Sequence, residues 1–343
     1  MTACTDVPLN RIMVGDARTR LKELPDAAVD TVITSPPYWQ QRDYGVDDQF
    51  GAEATVDGWV EDIVDVCDRL ARVLSPTGSL WLNLGDSFAR RPRDGAARKS
   101  LLLAPQQVAL QLSRRGWLVR NSIVWHKPNA MPSSVSDRLT TTHEVLLFLT
   151  RQPRYFFDLD AIRQPTTART KPLRRRPPSY PPRAAAPSLG RGTTTRVNLN
   201  HGLAAMKAAG RNSHPGGKNP GDVWMIPTGS YRGAHFATFP LELVRRPLLA
   251  TCPERVCTGC GRPWRRVSTA AVDTAHRSPL QADCRCRAPT RAGIVLDPFM
   301  GSGTVALAAE QHSRDWLGIE LNPAYAQLAT QRLADWRTTH QRT

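Results

Sequence analysis

A chain of 343 residues, 41% of them hydrophobic, is long enough to bury a full α/β core and still carry an extra module. A formal charge of +16 points either to a polyanionic partner or to a basic surface kept soluble by its charge. No run approaches a membrane span, the first residues lack a basic stretch followed by an apolar one, and seven cysteines is an odd number, so the composition argues against membrane insertion, secretion and a fully paired disulfide framework, and for a reducing cytoplasm.

Residues 11–14 are short and apolar, end at Gly15-Asp16, and predict a strand; residues 17–24 have helical spacing; residues 29–34 are a second β-rich run closed by Ser35-Pro36-Pro37. A strand–helix–strand unit of this length predicts parallel strands joined by a right-handed crossover. Residues 59–74 place Trp59, Ile63, Val66, Leu70 and Val73 at helical spacing before the breaker Ser75-Pro76-Thr77-Gly78. Residues 79–84 then predict a strand ending at Gly85-Asp86. A helix over 101–114, stopped by Gly116, and strands over 117–125 and 144–149 continue the alternation. From about residue 162 to 196 the chain is rich in Pro, Arg, Ala and Thr, includes Arg174-Arg175-Arg176, and contains no acid. Such a stretch cannot pack a core; it reads as a solvated linker or as a basic loop that touches phosphates. Order returns near Gly221-Asp222-Val223-Trp224, with a helix over 241–250, a strand over 293–297, a helix over 304–311, a strand over 316–319 ending at Glu320, and a closing helix over 323–336. No internal repeat is visible. The pattern predicts an α/β, doubly wound, mostly parallel sheet.

Two constellations sit at the carboxyl ends of predicted strands, where ligands bind in open α/β sheets. The first is Asp297-Pro298-Phe299-Met300-Gly301-Ser302-Gly303-Thr304, between a strand and a helix, with Glu320 ending the next strand close to the spacing at which an acid meets a ribose hydroxyl. The loop lacks the third glycine of a dinucleotide fingerprint, and Asp297 stands where a pyrophosphate needs neutral or positive surroundings. An acid there suits a nucleoside that carries an ammonium and no phosphate, such as S-adenosylmethionine. The second is Thr34-Ser35-Pro36-Pro37-Tyr38-Trp39. Its paired prolines remove two N–H donors, leaving the Ser35 hydroxyl and the Pro36 carbonyl as acceptors for an amino group, with Tyr38 as a face on which a flipped base can stack.

These two stretches resemble motifs I and IV of the amino-methyltransferases that act on DNA, and their order, catalytic motif first and cofactor motif near the C-terminus, resembles the β class. Arg42-Asp43-Tyr44-Gly45, Leu80 to Asp86, Trp125-His126-Lys127-Pro128-Asn129, His143-Glu144 and, for motif X, His235-Phe236-Ala237-Thr238-Phe239-Pro240 extend the resemblance over about residues 12–160 and 221–336. It implies a Rossmann-like methyltransferase fold with circularly permuted motif order. It implies a cofactor site of Asp16, Phe239, Pro240, Asp297, Pro298, Phe299, Gly301, Ser302, Gly303, Thr304 and Glu320, and a catalytic site of Ser35, Pro36, Pro37 and Tyr38. Within that site Asp16 would accept from the cofactor adenine's amino group, Glu320 would bind the ribose hydroxyls, and Phe239 and Pro240 would help close the pocket.

The exocyclic amine of cytosine or adenine is conjugated and a poor nucleophile. Two acceptors that draw its hydrogens out of the ring plane would turn the lone pair toward a sulfonium methyl for direct transfer. No Pro-Cys dipeptide is present, as an attack on a ring carbon would require. Serine in the first motif position is commoner in the N4-cytosine branch of the family, with N6-adenine as the alternative, and a target amine inside double-stranded DNA calls for base flipping. A cognate restriction enzyme is the expected partner unless the protein is a solitary modifier. Methylation of RNA or of a protein amide, or a non-catalytic zinc- and DNA-binding role, are the competing readings.

Cys257-Thr258-Gly259-Cys260 and Cys284-Arg285-Cys286 predict a closed structural Zn²⁺ site, with Cys252 or His276 able to replace one ligand, or else a set of incidental thiols. The flanking Arg262, Arg265 and Arg266, like Arg90-Arg91-Pro92-Arg93, would contact DNA phosphates or lie in solvent. The organisation is thus a catalytic half over 1–161, a basic Pro/Arg-rich insert over 162–220, a return to the main domain over 221–256, a small zinc-knuckle-like insertion over 257–290, and a cofactor half over 291–343.

Overall fold

The computed structural model describes residues 7–46, 48–165, 216–229, 239–266 and 279–340. Arg174-Arg175-Arg176 and most of the basic insert, residues 235–238 of the motif X stretch, and His276 lie outside the described residues.

The chain opens with β1 (Arg11–Val14), α1 (Ala17–Glu23), β2 (Val29–Thr34), α2 (Val56–Val73) and β3 (Leu74–Leu84), followed by α3 (Ala104–Arg114), β4 (Leu118–His126) and β5 (His143–Thr150). Beyond the basic insert come β6 (Val223–Met225), α4 (Leu241–Thr251) and four two-residue strands, β7 (Val256–Cys257), β8 (Arg265–Arg266), β9 (Leu280–Gln281) and β10 (Thr290–Arg291). The chain closes through β11 (Ile294–Asp297), α5 (Thr304–Gln311), β12 (Asp315–Glu320) and α6 (Pro323–His340).

Among the described residues eight strands form one sheet in the order β1-β12-β11-β2-β3-β5-β4-β6. All neighbours are parallel except at β5, which runs antiparallel to both β3 and β4. β2 and β11 are buried along their whole length, as parallel strands covered on both faces must be. On β3 the side chains alternate: Leu80, Leu82 and Leu84 enter the core formed with α1, α2 and α3, while Trp81 enters the core formed with α4, α5 and α6. Each fully buried leucine of these layers contributes roughly 1.5–3 kcal/mol.

Two local differences from the sequence reading have clear causes. The apolar run 101–103 is extended, not helical: Leu101 bridges Phe88, Leu102 N donates to Ser87 O at 2.9 Å, and Leu103 takes a left-handed φ of 56° just ahead of α3. The stretch 75–78 does not break the sheet, because β3 begins at Leu74, which pairs with Val29, and absorbs the irregularity as a register shift.

The chain leaves β2 toward β3 on one side and leaves β11 toward β12 on the other. The crevice beyond the carboxyl ends of these two adjacent strands is the topological switch point of the sheet.

Candidate active site

A cavity of about 470 Å³ opens at this switch point, a volume suited to a nucleoside-sized ligand. Both sequence constellations reach it. Ser35, Pro36, Pro37 and Tyr38 line one part, and Pro298, Phe299, Gly301, Ser302, Thr304 and Glu320 line another, with Phe239 also at the wall. The two strand ends are bonded directly, Thr34 Oγ1 donating to Asp297 Oδ1 at 2.7 Å across 263 positions of chain.

Asp297 is 2% exposed and lies behind the wall formed by its neighbours. Its Oδ1 also accepts from Phe299 N at 3.1 Å, whereas Oδ2 is buried with no hydrogen-bond partner. Burial pushes its carboxyl up to about 7, and the nearby charge of Glu320 adds to the shift. Glu320 is held by two backbone donors, Gly301 N at 2.7 Å and Asn322 N at 2.8 Å, and burial raises its carboxyl too. The Gly301 bond requires a backbone φ of 50° at that residue, a region where a side chain is strained, which explains the glycine. Gly303 and Pro240 do not line the cavity; they cap α5 and α4.

Asp16 lines the cavity as the N-cap of α1, and its carboxylate is already occupied: Arg18 N donates to Oδ1 and Arg18 Nη2 to Oδ2, both at 2.7 Å. Burial opposes its ionisation, but the Arg18 guanidinium outweighs this and holds the carboxyl below its ordinary value. The Arg18 guanidinium also stands 4.8 Å from the centre of the Phe50 ring, which meets Phe299 edge to face at 5.0 Å. Tyr44 O accepts from Asn322 Nδ2 at 3.1 Å, so the loop after the catalytic turn closes over the end of β12.

At the other end Ser35 sits half-buried beside Tyr38. Trp59 Nε1 donates to Pro37 O at 2.9 Å, anchoring the turn on α2. The Tyr38 hydroxyl does not point into solvent. It donates to Glu144 Oε2 at 2.7 Å, accepts from Asn83 Nδ2 at 2.6 Å, and lies 3.1 Å from Ser35 Oγ. Burial and the adjacent Glu144 charge push its phenol well above the usual range. Gly85 underlies its ring, since a Cβ built there would meet Tyr38 Cε2 at 2.6 Å. Lys127 pairs with Glu144 Oε1 and stands over the Trp125 ring at 4.5 Å. Asn83, Lys127 and Glu144 carry no assigned role in the sequence reading. Lys127 and Glu144 were visible there only as members of resembling stretches.

Away from the cavity, Cys257, Cys260, Cys284 and Cys286 bring their sulfurs within 4.8 Å of one another. Cys252 is not among them; it is buried against Gly293, at the end of α4. The arginines nearby are held by the protein. Arg266, 9% exposed at its side chain, pairs with Asp158 at 2.8 Å and with Glu254. Arg265 pairs with Asp283 at 3.3 Å, and Arg262 Nη1 donates to Asp283 O at 3.2 Å. The expectation that Arg266 contacts phosphates or lies in solvent is therefore corrected: its charge is used to tie the cysteine-rich insertion to the loop after β5.

Fold and cavity together define the class, an S-adenosylmethionine-dependent methyltransferase that works on an amino group. The profile of the DNA methylase family (N6_N4_Mtase) matches residues 29–331, and the chain belongs to that family. It is 33% identical over 340 residues to Type II methyltransferase M.Cfr9I of Citrobacter freundii, covering 93% of this chain and 86% of that one. It is 32% identical over 340 residues to Type II methyltransferase M.XycI of Xanthomonas campestris pv. cyanopsidis, with the same coverage of 93% and 86%. In fold it resembles the cytosine-N4-specific PvuII DNA methyltransferase, with a TM-score of 0.56 at 16% identity over 93% of this chain and 84% of the other. It also resembles a DNA modification methylase of Thermus thermophilus, TTHA0409, solved with S-adenosyl-L-methionine, with a TM-score of 0.51 at 24% identity over 95% and 93%. Among the described residues no helix is long and apolar enough to cross a membrane.

Proposed function

We propose that this protein methylates N4 of a cytosine flipped out of a specific site in double-stranded DNA, as the modification partner of a restriction enzyme in the cytoplasm. The observation that carries the reading is the single cavity shared by Ser35 and the Asp297–Glu320 loop system. Serine in the first position of the catalytic turn favours cytosine over adenine.

The residues fit the cofactor. The orphaned Asp297 Oδ2 is a buried acceptor lacking a donor, which an ammonium supplies. Glu320, fixed by two backbone N–H groups, keeps lone pairs free for ribose hydroxyls. Phe299, with Phe50 against it, offers an apolar wall for the adenine. When bound, S-adenosylmethionine supplies an electrophilic methyl on a sulfonium. Ser35 Oγ and Pro36 O accept the two hydrogens of the target amine and orient its lone pair, and Tyr38 offers the base one ring face while Gly85 backs the other. The clustered thiols of Cys257, Cys260, Cys284 and Cys286 form the donor set of a structural Zn²⁺. In this organisation 1–161, 221–256 and 291–343 form the methyltransferase body, and 162–220 and 257–290 are insertions into it.

The test is to express the protein in a host and digest the host DNA to nucleosides. 4-Methylcytosine is the expected product. 6-Methyladenine would move the protein to the adenine branch, and neither base would overturn the reading.

A further inference from the structure

β5 runs against its neighbours in the sheet, so its first residues, not its last, arrive at the rim where the carboxyl ends of β2 and β3 form the catalytic turn. Glu144 is the second residue of β5, 14% exposed at its side chain, and it lines the cavity. An unbroken path of hydroxyls leads to it from the target position: Ser35 Oγ to Tyr38 Oη at 3.1 Å, and Tyr38 Oη to Glu144 Oε2 at 2.7 Å. Asn83, 2% exposed on β3, fixes all three members, its Nδ2 lying 3.3 Å from Ser35 Oγ, 2.6 Å from Tyr38 Oη and 2.7 Å from Glu144 Oε2. Lys127 holds the other carboxylate oxygen.

Methylation of an exocyclic amine leaves a proton to be removed. The N–C bond forms as the sulfonium C–S bond breaks, its electron pair remaining on sulfur, and the nitrogen is left with a positive charge and one hydrogen too many. Ser35 is a neutral hydroxyl and can pass that proton on but not keep it.

We propose that Glu144 is the terminal acceptor of this proton, reached through Ser35 and Tyr38. The amine proton goes to Ser35 Oγ, the serine's own proton to Tyr38 Oη, and the tyrosine's own proton to Glu144 Oε2, which ends as a neutral acid beside the Lys127 ammonium and is reset by water once the product leaves. The geometry fits this direction. Tyr38 Oη accepts from Asn83 and Ser35 and donates to Glu144, so its one hydrogen and its lone pairs are all committed along the path. Because burial keeps Tyr38 a phenol, it relays the proton and does not store it. Glu144 and Tyr38 act through Ser35 and are positioning and relay residues; the inference rests on Ser35 being the acceptor of the target amine.

The test is single-turnover methyl transfer to unmodified DNA containing the site, with cofactor and DNA affinities measured in parallel. Glu144→Gln and Tyr38→Phe are each expected to slow transfer by about 100-fold, the scale of a lost general base, with affinities unchanged within about threefold. The double variant is expected to be no slower than either single one. Glu144→Asp, shorter but still a carboxylate, is expected to outperform the isosteric Glu144→Gln; the reverse order would show that hydrogen-bond geometry, not basicity, is what the position supplies, and would overturn the inference. So would a Glu144→Gln rate within about threefold of the parent. If Glu144→Gln fails to fold, Tyr38→Phe keeps the ring and breaks the path, and full activity there would also overturn it. Ser35→Ala separates the two layers: an active Ser35→Ala sinks the underlying assignment, whereas an inactive Ser35→Ala with an active Glu144→Gln sinks the relay alone.

Discussion

Thr34 Oγ1 donates a 2.7 Å hydrogen bond to Asp297 Oδ1, and this bond joins the last residue of β2 to the last residue of β11. One side of it continues into Ser35 and the catalytic turn, the other into the glycine loop and Glu320. The bond therefore sets the distance between the two halves of the reaction while leaving Asp297 Oδ2 free for a ligand.

Ser35→Ala should lower turnover by about 100-fold, the scale of losing one preorganised hydrogen-bonding group at a reacting centre. S-adenosylmethionine affinity, measured by calorimetry, should stay within about twofold, because Ser35 lies at the amine end of the cavity. Equal loss of both would remove Ser35 from the proposed role.

Cofactor affinity should depend on pH through Asp297. Its carboxyl sits at about 7 in the folded protein, against an ordinary 3.8, and only the ionised form attracts an ammonium. Below that value binding must first remove the proton, so affinity should fall by about tenfold per pH unit. Asp297→Asn should bind weakly and without this dependence. For stability the sign is opposite. A carboxyl raised in the fold contributes fully below 3.8, and its contribution is lost as pH rises through about 7, so the ligand-free protein should gain from this group on acidification. Glu320, also raised by burial, acts in the same direction. Thermal melts with and without cofactor between about pH 5.5 and 7.5 check both signs.

Metal analysis of the purified protein should find about one zinc per chain, the stoichiometry of a closed four-thiolate site. Chelation, or Cys260→Ser, should release the metal and lower the melting temperature. A metal-free protein with an unchanged melt would leave the four thiols with no structural role.

Gly85→Ala should displace Tyr38. The added methyl would sit 2.6 Å from Tyr38 Cε2, and relieving that contact should cost about 1–3 kcal/mol. Turnover should fall more than cofactor affinity, since the disturbed ring belongs to the amine end of the cavity. A variant with normal kinetics would mean that the ring can shift without consequence.

Arg266 and Arg90 should separate cleanly in a salt titration of DNA binding. Arg266→Met removes one partner from a buried pair with Asp158 and should destabilise the fold by about 3–5 kcal/mol without altering the salt slope. Arg90 is exposed, and if its side chain meets a phosphate, Arg90→Ala should reduce the slope by about 0.9 while leaving the melt unchanged.

Much of this was legible in the chain itself. The predicted helix over 304–311 coincides with Thr304–Gln311, and the strand over 29–34 with Val29–Thr34, because periodicity and breakers act locally. The helix begun at residue 101 failed because Leu101 and Leu102 are claimed by Phe88 and Ser87, partners that no local window contains. The four cysteines were legible from spacing, and their convergence within 4.8 Å agrees with it. The fate of Arg266 was not, since Asp158 is 108 positions away.

The sequence by itself determined the order of strands and helices, the acid–glycine loop, the acceptor-rich turn, and so the chemistry each end of the cavity offers. Tertiary structure alone decided that Thr34 meets Asp297, that a reversed β5 carries Glu144 to Tyr38, and that Asn83 joins them. The reason is physical. Turns and periodicity arise from neighbours along the backbone, whereas these contacts depend on which strands lie side by side and in which direction, and that is settled only when the whole sheet buries both of its faces.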